Sequence, residues 1–183
     1  ESLPKEAPGF KFNPCAIDHI FIHLGPIVQE RELSKYGLEY LFCDPMLFCP
    51  HPDGKYYLGH RSVEKTCAEI ERYSPHDAKQ YAEFIDFWHR VTNVITPVFN
   101  APPKSLLDIS GNFDFAKLKD LFSLIGPPDK TLDFIRTLFT SAKELVEGYF
   151  EEEFVRAPIA RLAGEMSMPP SQKTSAIGGM MTS

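Results

Sequence analysis

His19 and His23 stand four residues apart, with Asp18 beside them. On a helix that spacing places both imidazoles on one face, where they could hold a metal ion. The pair lacks the glutamate of an HExxH metalloprotease motif, and no third ligand stands out. Surface or core histidines are the simpler reading, so no metal site is assigned. Cys43, Cys49 and His51 form a second cluster, but their spacing matches no zinc finger or ribbon. Cysteine commonly packs as a small apolar residue instead. Met166, Met168, Met180 and Met181 gather near the C-terminal end. Methionine adapts to irregular apolar surfaces, which makes Met168, Met180 and Met181 substrate-pocket candidates against the plainer reading of core filler. There is no GxSxG nucleophile elbow, no GxGxxG and no GxxxxGK[ST], and Gly178-Gly179 sits too near the end to belong to one. No catalytic and no cofactor-binding residue is assigned.

The composition narrows the classes. The chain has 183 residues, enough for one domain and a tail. At 43% hydrophobic and 24% charged it has the balance of a globular protein, and fifteen Phe, seven Tyr and one Trp supply a core. Nineteen Lys and Arg against 25 Asp and Glu give a net charge of −6, which disfavours nucleic acid as a partner. No apolar run approaches the roughly 20 residues of a membrane span. Four cysteines without a CxxC pair suit reduced thiols, hence a cytoplasmic setting with room for peripheral membrane contact. The chain opens Glu1-Ser2-Leu3-Pro4 and closes on the apolar run Gly178-Gly179-Met180-Met181-Thr182-Ser183. Both ends read as cut from something longer.

The elements that must position any site follow from punctuation and periodicity. Residues 1–15, with Pro4, Pro8, Gly9 and Pro14, predict an extended lead-in, and residues 16–183 the domain proper. Ile17 to Leu24 is ambiguous between strand and helix. Pro26 opens a short helix to about Tyr36, ended by Gly37. Leu38–Cys43, Leu47–Cys49 and Lys55–Leu58 predict strands, the last two joined by the Pro52-Asp53-Gly54 turn, so that a small antiparallel sheet spans 38–58. Two or three strands seldom stand alone in water and need a helical layer or a larger sheet. Ser62 caps a helix to about Tyr73. Ser74-Pro75-His76-Asp77 is the strongest helix start in the chain, and behind it Tyr81, Ile85, Trp88, Val91, Ile95 and Val98 make one apolar stripe. A third helix after Asp114 carries Phe115, Leu118, Leu121, Phe122 and Ile125. A fourth from Asp129 carries Leu132, Ile135, Leu138, Phe139, Ala142, Leu145, Val146 and Tyr149, all inward. Glu151-Glu152-Glu153 leads to a short helix near Ile159–Ala163. The fold class is α+β, mostly helical, with a small antiparallel sheet.

A succession of phrases carries a resemblance. Pro8-Gly9-Phe10-Lys11-Phe12, Tyr36-Gly37-Leu38-Glu39, Asp44-Pro45, the Pro52-Asp53-Gly54 hairpin and Ser74-Pro75-His76-Asp77-Ala78-Lys79-Gln80-Tyr81 occur in order and spacing, and Met168-Pro169-Pro170-Ser171-Gln172-Lys173 follows. Together they resemble the middle of the phytoene desaturase-like FAD-dependent oxidoreductases. That group takes in carotenoid desaturases and isomerases and the pyridine nucleotide-disulfide oxidoreductase domain-containing protein 2 type. The likeness covers roughly residues 8 to 183. Ser-Pro-x-Asp-Ala-x-x-Tyr after the hairpin is its most specific part.

The resemblance implies a substrate-side domain normally inserted in a flavin-binding Rossmann-type enzyme, with FAD held by the parent protein and none by this fragment. It also implies an apolar, carotenoid- or isoprenoid-like small-molecule substrate, a missing flavin-binding domain as partner, and self-association through the uncovered face. No catalytic residue transfers. The alternative is a flavin-free helical interaction or lipid-binding module.

Overall fold

The computed structural model describes residues 25–99, 126–165 and 167–176, with Gly9, Ile22 and Ser123 besides. The lead-in and the third helix expected after Asp114 lie outside the described residues, apart from Gly9 and Ser123. The chain divides into two compact units, Glu1–Tyr40 and Leu41–Ser183.

In the first unit, helix α1 (Ile27–Glu30) follows Pro26, and a 3-10 turn covers Leu33–Tyr36. The single helix expected from Pro26 to Tyr36 is therefore broken. The cause is Glu32 at φ +48°, a left-handed backbone that cannot continue a right-handed helix. Gly37 ends the turn as expected, at φ +88°, where an L side chain would be strained.

In the second unit β1 (Leu47–Pro50) and β2 (Tyr56–Gly59) pair antiparallel, with Phe48 opposite Leu58 and Cys49 opposite Tyr57. The turn between them is the predicted one. Gly54 takes φ +88°, His51 N–H donates to the Lys55 carbonyl at 2.9 Å, and the Asp53 carboxylate accepts Lys55 N–H at 2.9 Å. The strand expected over Leu38–Cys43 does not form. The boundary between the units falls after Tyr40, and Asp44 is pinned to the far end of the hairpin instead: it accepts from His60 Nδ1 at 2.9 Å, Arg61 N–H at 3.2 Å and Lys65 Nζ at 3.2 Å.

Helix α2 (Val63–Glu71) starts at Ser62, whose hydroxyl accepts Lys65 N–H at 3.2 Å. Helix α3 (Pro75–Phe99) starts where the sequence placed it, with the Ser74 hydroxyl accepting Asp77 N–H at 3.1 Å. Trp88 is 1% exposed. It packs with Phe84, Val91, Ile70 of α2 and two residues of later helices, Val146 and Val155, in one core. The buried stripe is wider than expected: Phe84 and Phe87 are buried, whereas Ile85 is half-buried. Elements pack on more than one side of α3, so a stripe one residue wide cannot serve. The side chains of Ile95 and Val98 lie outside the description.

The fourth helix, expected unbroken, is two. Helix α4 (Pro128–Thr137) and helix α5 (Ala142–Tyr149) are separated by a turn and a capping box, in which Ser141 Oγ accepts Glu144 N–H and Glu144 accepts Ser141 N–H. Thr137 and Thr140 bond back to the carbonyls of Asp133 and Arg136, a habit of β-branched hydroxyls at helix ends. The turn rephases the pattern. Phe134 and Thr137 face the core, while Leu132, Ile135 and Phe139, all expected inward, are exposed. Helix α6 (Glu153–Glu165) is longer than expected. Pro158 lies inside it, where its missing N–H removes one backbone hydrogen bond, and the helix runs on to Glu165.

Residues 168–176 then cross back over the start of α5 as a strap. Lys143 N–H donates to the Pro170 carbonyl at 2.9 Å, Ala142 N–H to the Ser175 hydroxyl at 2.9 Å, and Ala176 N–H to the Thr140 carbonyl at 3.3 Å. Ser175 and Ala176 are fully buried. The fold is thus α+β and mainly helical with a two-stranded sheet, as expected. No helix among the described residues is long and apolar enough to cross a membrane.

Candidate functional site

Two buried polar centres sit inside the second unit. The first is Asp77, the third residue of α3 and fully buried. Its two carboxylate oxygens accept Glu151 N–H at 3.0 Å and Glu152 N–H at 2.9 Å. The Glu152 carbonyl takes the first bonds of α6, from Val155 and Arg156. A carboxylate on α3 therefore caps α6, 75 residues along the chain. The positive ends of α3 and α6 both meet it, which is how a buried charge is tolerated there. His76 Nδ1 lies 3.0 Å from Asp77 Oδ1, and that hydrogen bond holds the imidazole above its ordinary pKa.

His76, Asp77 and Glu151 are the one group of three potential metal ligands among the described residues, their atoms within 4.8 Å. The arrangement does not suit a cation. Both Asp77 oxygens are engaged by backbone donors, and two helix N-termini add positive potential where a metal would need negative. The cluster is a latch between α3 and α6. The sequence marked Asp77 only as a first-turn acid; its long-range partners carry no local signal.

The second centre lies under the hairpin. Tyr57 of β2 donates its hydroxyl to that of Tyr81 on α3 at 3.2 Å, inside the core, with Thr66 beside Tyr81. Burial pushes both phenols upward, Tyr57 far upward. Neither gives up a proton near neutrality, so the pair cross-links β2 to α3 rather than working as an acid.

The sequence candidates fare unevenly. Met168 is half-buried at the head of the strap, its N–H bonded to the Ala163 carbonyl at 3.2 Å. Met180 and Met181 lie outside the described residues, as do Asp18, His19 and His23. Cys43 is exposed, Cys49 packs against the core, and His51 pairs with Asp53 at 2.7 Å. These three make no common site.

Several large apolar side chains of the unit are exposed. Leu41, Phe42 and Met46, in the segment ahead of β1, and Phe48 of β1 are exposed, Leu41 at 84% and Phe48 at 59%. Arg61 lies over the Phe42 ring at 4.7 Å. Leu132, Ile135 and Phe139 add the outer face of α4 and the turn after it.

The chain is similar to the rat (Rattus norvegicus) "Pyridine nucleotide-disulfide oxidoreductase domain-containing protein 2", at 25% identity over 180 residues. The match takes in 88% of this chain but 30% of that protein, so the chain spans under a third of its relative. No family model matches the chain, and no solved structure does. The similarity supports a distant relationship to an oxidoreductase.

Proposed function

We propose that this chain is the substrate-side domain of an FAD-dependent oxidoreductase resembling the phytoene desaturases, acting on a long apolar substrate of carotenoid or isoprenoid type. The observation that carries the reading is a coincidence of two facts. The chain aligns with 30% of a longer oxidoreductase, and it exposes large apolar side chains on the hairpin and on α4. Monomers rarely leave such surface bare without a partner for it. In this reading residues 16–183 form the domain. Its outer face meets the flavin-binding domain or, in isolation, another copy, and Met168, Met180 and Met181 line the substrate path. In this reading the parent protein works in the cytoplasm, with room for peripheral contact with a membrane.

The reading that this chain itself holds no flavin draws support from its described helix starts. A pyrophosphate needs free N–H groups at a helix start, usually behind a glycine turn. Here Ser62, Ser74 and Ser141 each accept one first-turn N–H of α2, α3 and α5, and Asp77 accepts two N–H groups just ahead of α6. The start of α4 offers Pro127 and Pro128, which have no N–H, followed by the acidic Asp129. The hydride chemistry would come from the flavin held elsewhere in the parent, and this domain's part is to enclose and orient the substrate.

The test is to purify the full-length product of the gene and, separately, residues 1–183, and to titrate both with FAD by fluorescence quenching. The reading expects micromolar or tighter binding by the full-length product and none by residues 1–183. Tight binding by residues 1–183, or a full-length product without flavin, overturns it and favours the flavin-free interaction module.

A further inference from the structure

We propose that His76 makes the joint between α3 and α6 responsive to pH near neutrality: as an imidazolium it holds both Asp77 of α3 and Glu151 ahead of α6, and as a neutral ring it holds Asp77 alone. The joint ties three elements together. Asp77 accepts Glu151 N–H and Glu152 N–H, and the Glu152 carboxylate accepts from Lys55 Nζ, beside the hairpin turn, at 2.6 Å. The Glu152 carbonyl takes the first bonds of α6, and α6 carries Phe154 and Val155 into the core. Loosening this joint therefore loosens the seating of α6 on α3.

His76 is the second residue of α3, and its side chain is 50% exposed, so protons reach it freely. Its Nδ1 lies 3.0 Å from Asp77 Oδ1 and 4.0 Å from Glu151 Oε1. The charged groups that face the ring are Asp77 and Lys79 on α3 and Glu151 on the segment into α6. Glu152, the next residue, is turned to Lys55 instead. Two carboxylates against one ammonium favour the imidazolium. The start of α3 disfavours a cation, but a charge-assisted hydrogen bond to a buried carboxylate outweighs it. The Asp77 hydrogen bond acts most strongly and the charge of Glu151 adds to it, against partial desolvation and Lys79. Among the side-chain types gathered at the joint, only imidazole changes charge near neutrality. On losing its proton the ring can still donate Nδ1–H to Asp77. Its hold on Glu151 goes, because 4.0 Å is too long for a hydrogen bond and depends on charge alone. The sign follows from a folded pKa raised above 6.5. The contribution is complete below about 6.5 and is lost as the pH rises through the folded value.

The test follows two signals by NMR on residues 1–183 labelled with ¹⁵N. The His76 ring is expected to titrate with a midpoint above about 6.5, and Glu151→Gln to lower that midpoint. The amides of Glu151 and Glu152 are expected to lose about threefold in protection between about pH 6 and about pH 8.5, after correction for intrinsic exchange. His76→Gln keeps a side chain able to donate to Asp77 and removes only the charge, so its protection should not fall over that range. The inference is overturned by a His76 midpoint at or below about 6.5, or by a midpoint that Glu151→Gln leaves in place. Protection at the two amides with the same pH dependence in both proteins overturns it as well.

Discussion

The Asp77 junction and the outer face of the hairpin lie in the same compact unit and were built to opposite rules. At Asp77 both carboxylate oxygens accept backbone N–H groups ahead of α6, and farther along α3 Phe84 and Trp88 are almost fully buried. On the hairpin's outer face Met46 and Phe48 present apolar side chains to solvent at 59% exposure each. The first region completes itself. The second is apolar yet open to solvent, although the sheet beneath it packs through Tyr57, Leu47 and Cys49 on the core. In the proposed reading, this unit folds around α3 and its exposed apolar side chains meet the flavin-binding domain.

If the junction and core hold the unit together, the largest loss should come from Trp88. Its Nε1–H is buried with no hydrogen-bond partner among the described residues, so truncation removes packing and nothing else. Trp88→Ala should cost about 3–5 kcal/mol in urea unfolding. Trp88→Phe should cost much less, because the smaller cavity is offset by losing an unsatisfied donor. A cost below about 1 kcal/mol for alanine would mean that the core does not centre on α3.

Asp77→Ala comes next. It leaves two N–H groups without acceptors, at about 1–3 kcal/mol each, so roughly 2–6 kcal/mol in all. Asp77→Asn keeps one acceptor oxygen and should lose about half of that. Equal, small effects from both would show that water replaces the latch.

How legible this was in the sequence depended on range. The start of α3 was readable because Ser74, Pro75 and Asp77 sit side by side and act locally. The hairpin turn was readable for the same reason, with Gly54 and Asp53 working within a few residues. Asp77's reach to Glu151 and Glu152 was not, since nothing local distinguishes a first-turn acid from a trans cap. Leu132, Ile135 and Phe139 were misplaced because periodicity reports an apolar face but not whether a partner covers it. The strap's return to α5 likewise has no spacing that encodes it.

A smaller effect sharpens the comparison at the strap. Lys173 and the Ser141 cap hold Glu144 down to about 2 from 4.5. A lowered carboxyl pKa stabilises the fold above about 4.5, and that contribution is lost as the pH falls through about 2. Lys173→Met should move the loss of the strap to higher pH, visible in Tm measured across that window. Identical acid profiles for the two proteins would place the strap's anchorage in its backbone bonds alone.

The most direct test of the central claim is hydrogen–deuterium exchange on residues 1–183 and on the full-length product of the gene. The account predicts that amides of Met46–Pro50 and those near Phe139 slow markedly in the full-length protein, while amides at Asp77, Glu151 and Glu152 exchange alike in both. Equal exchange along the hairpin, or a full-length product no longer than these 183 residues, would contradict it.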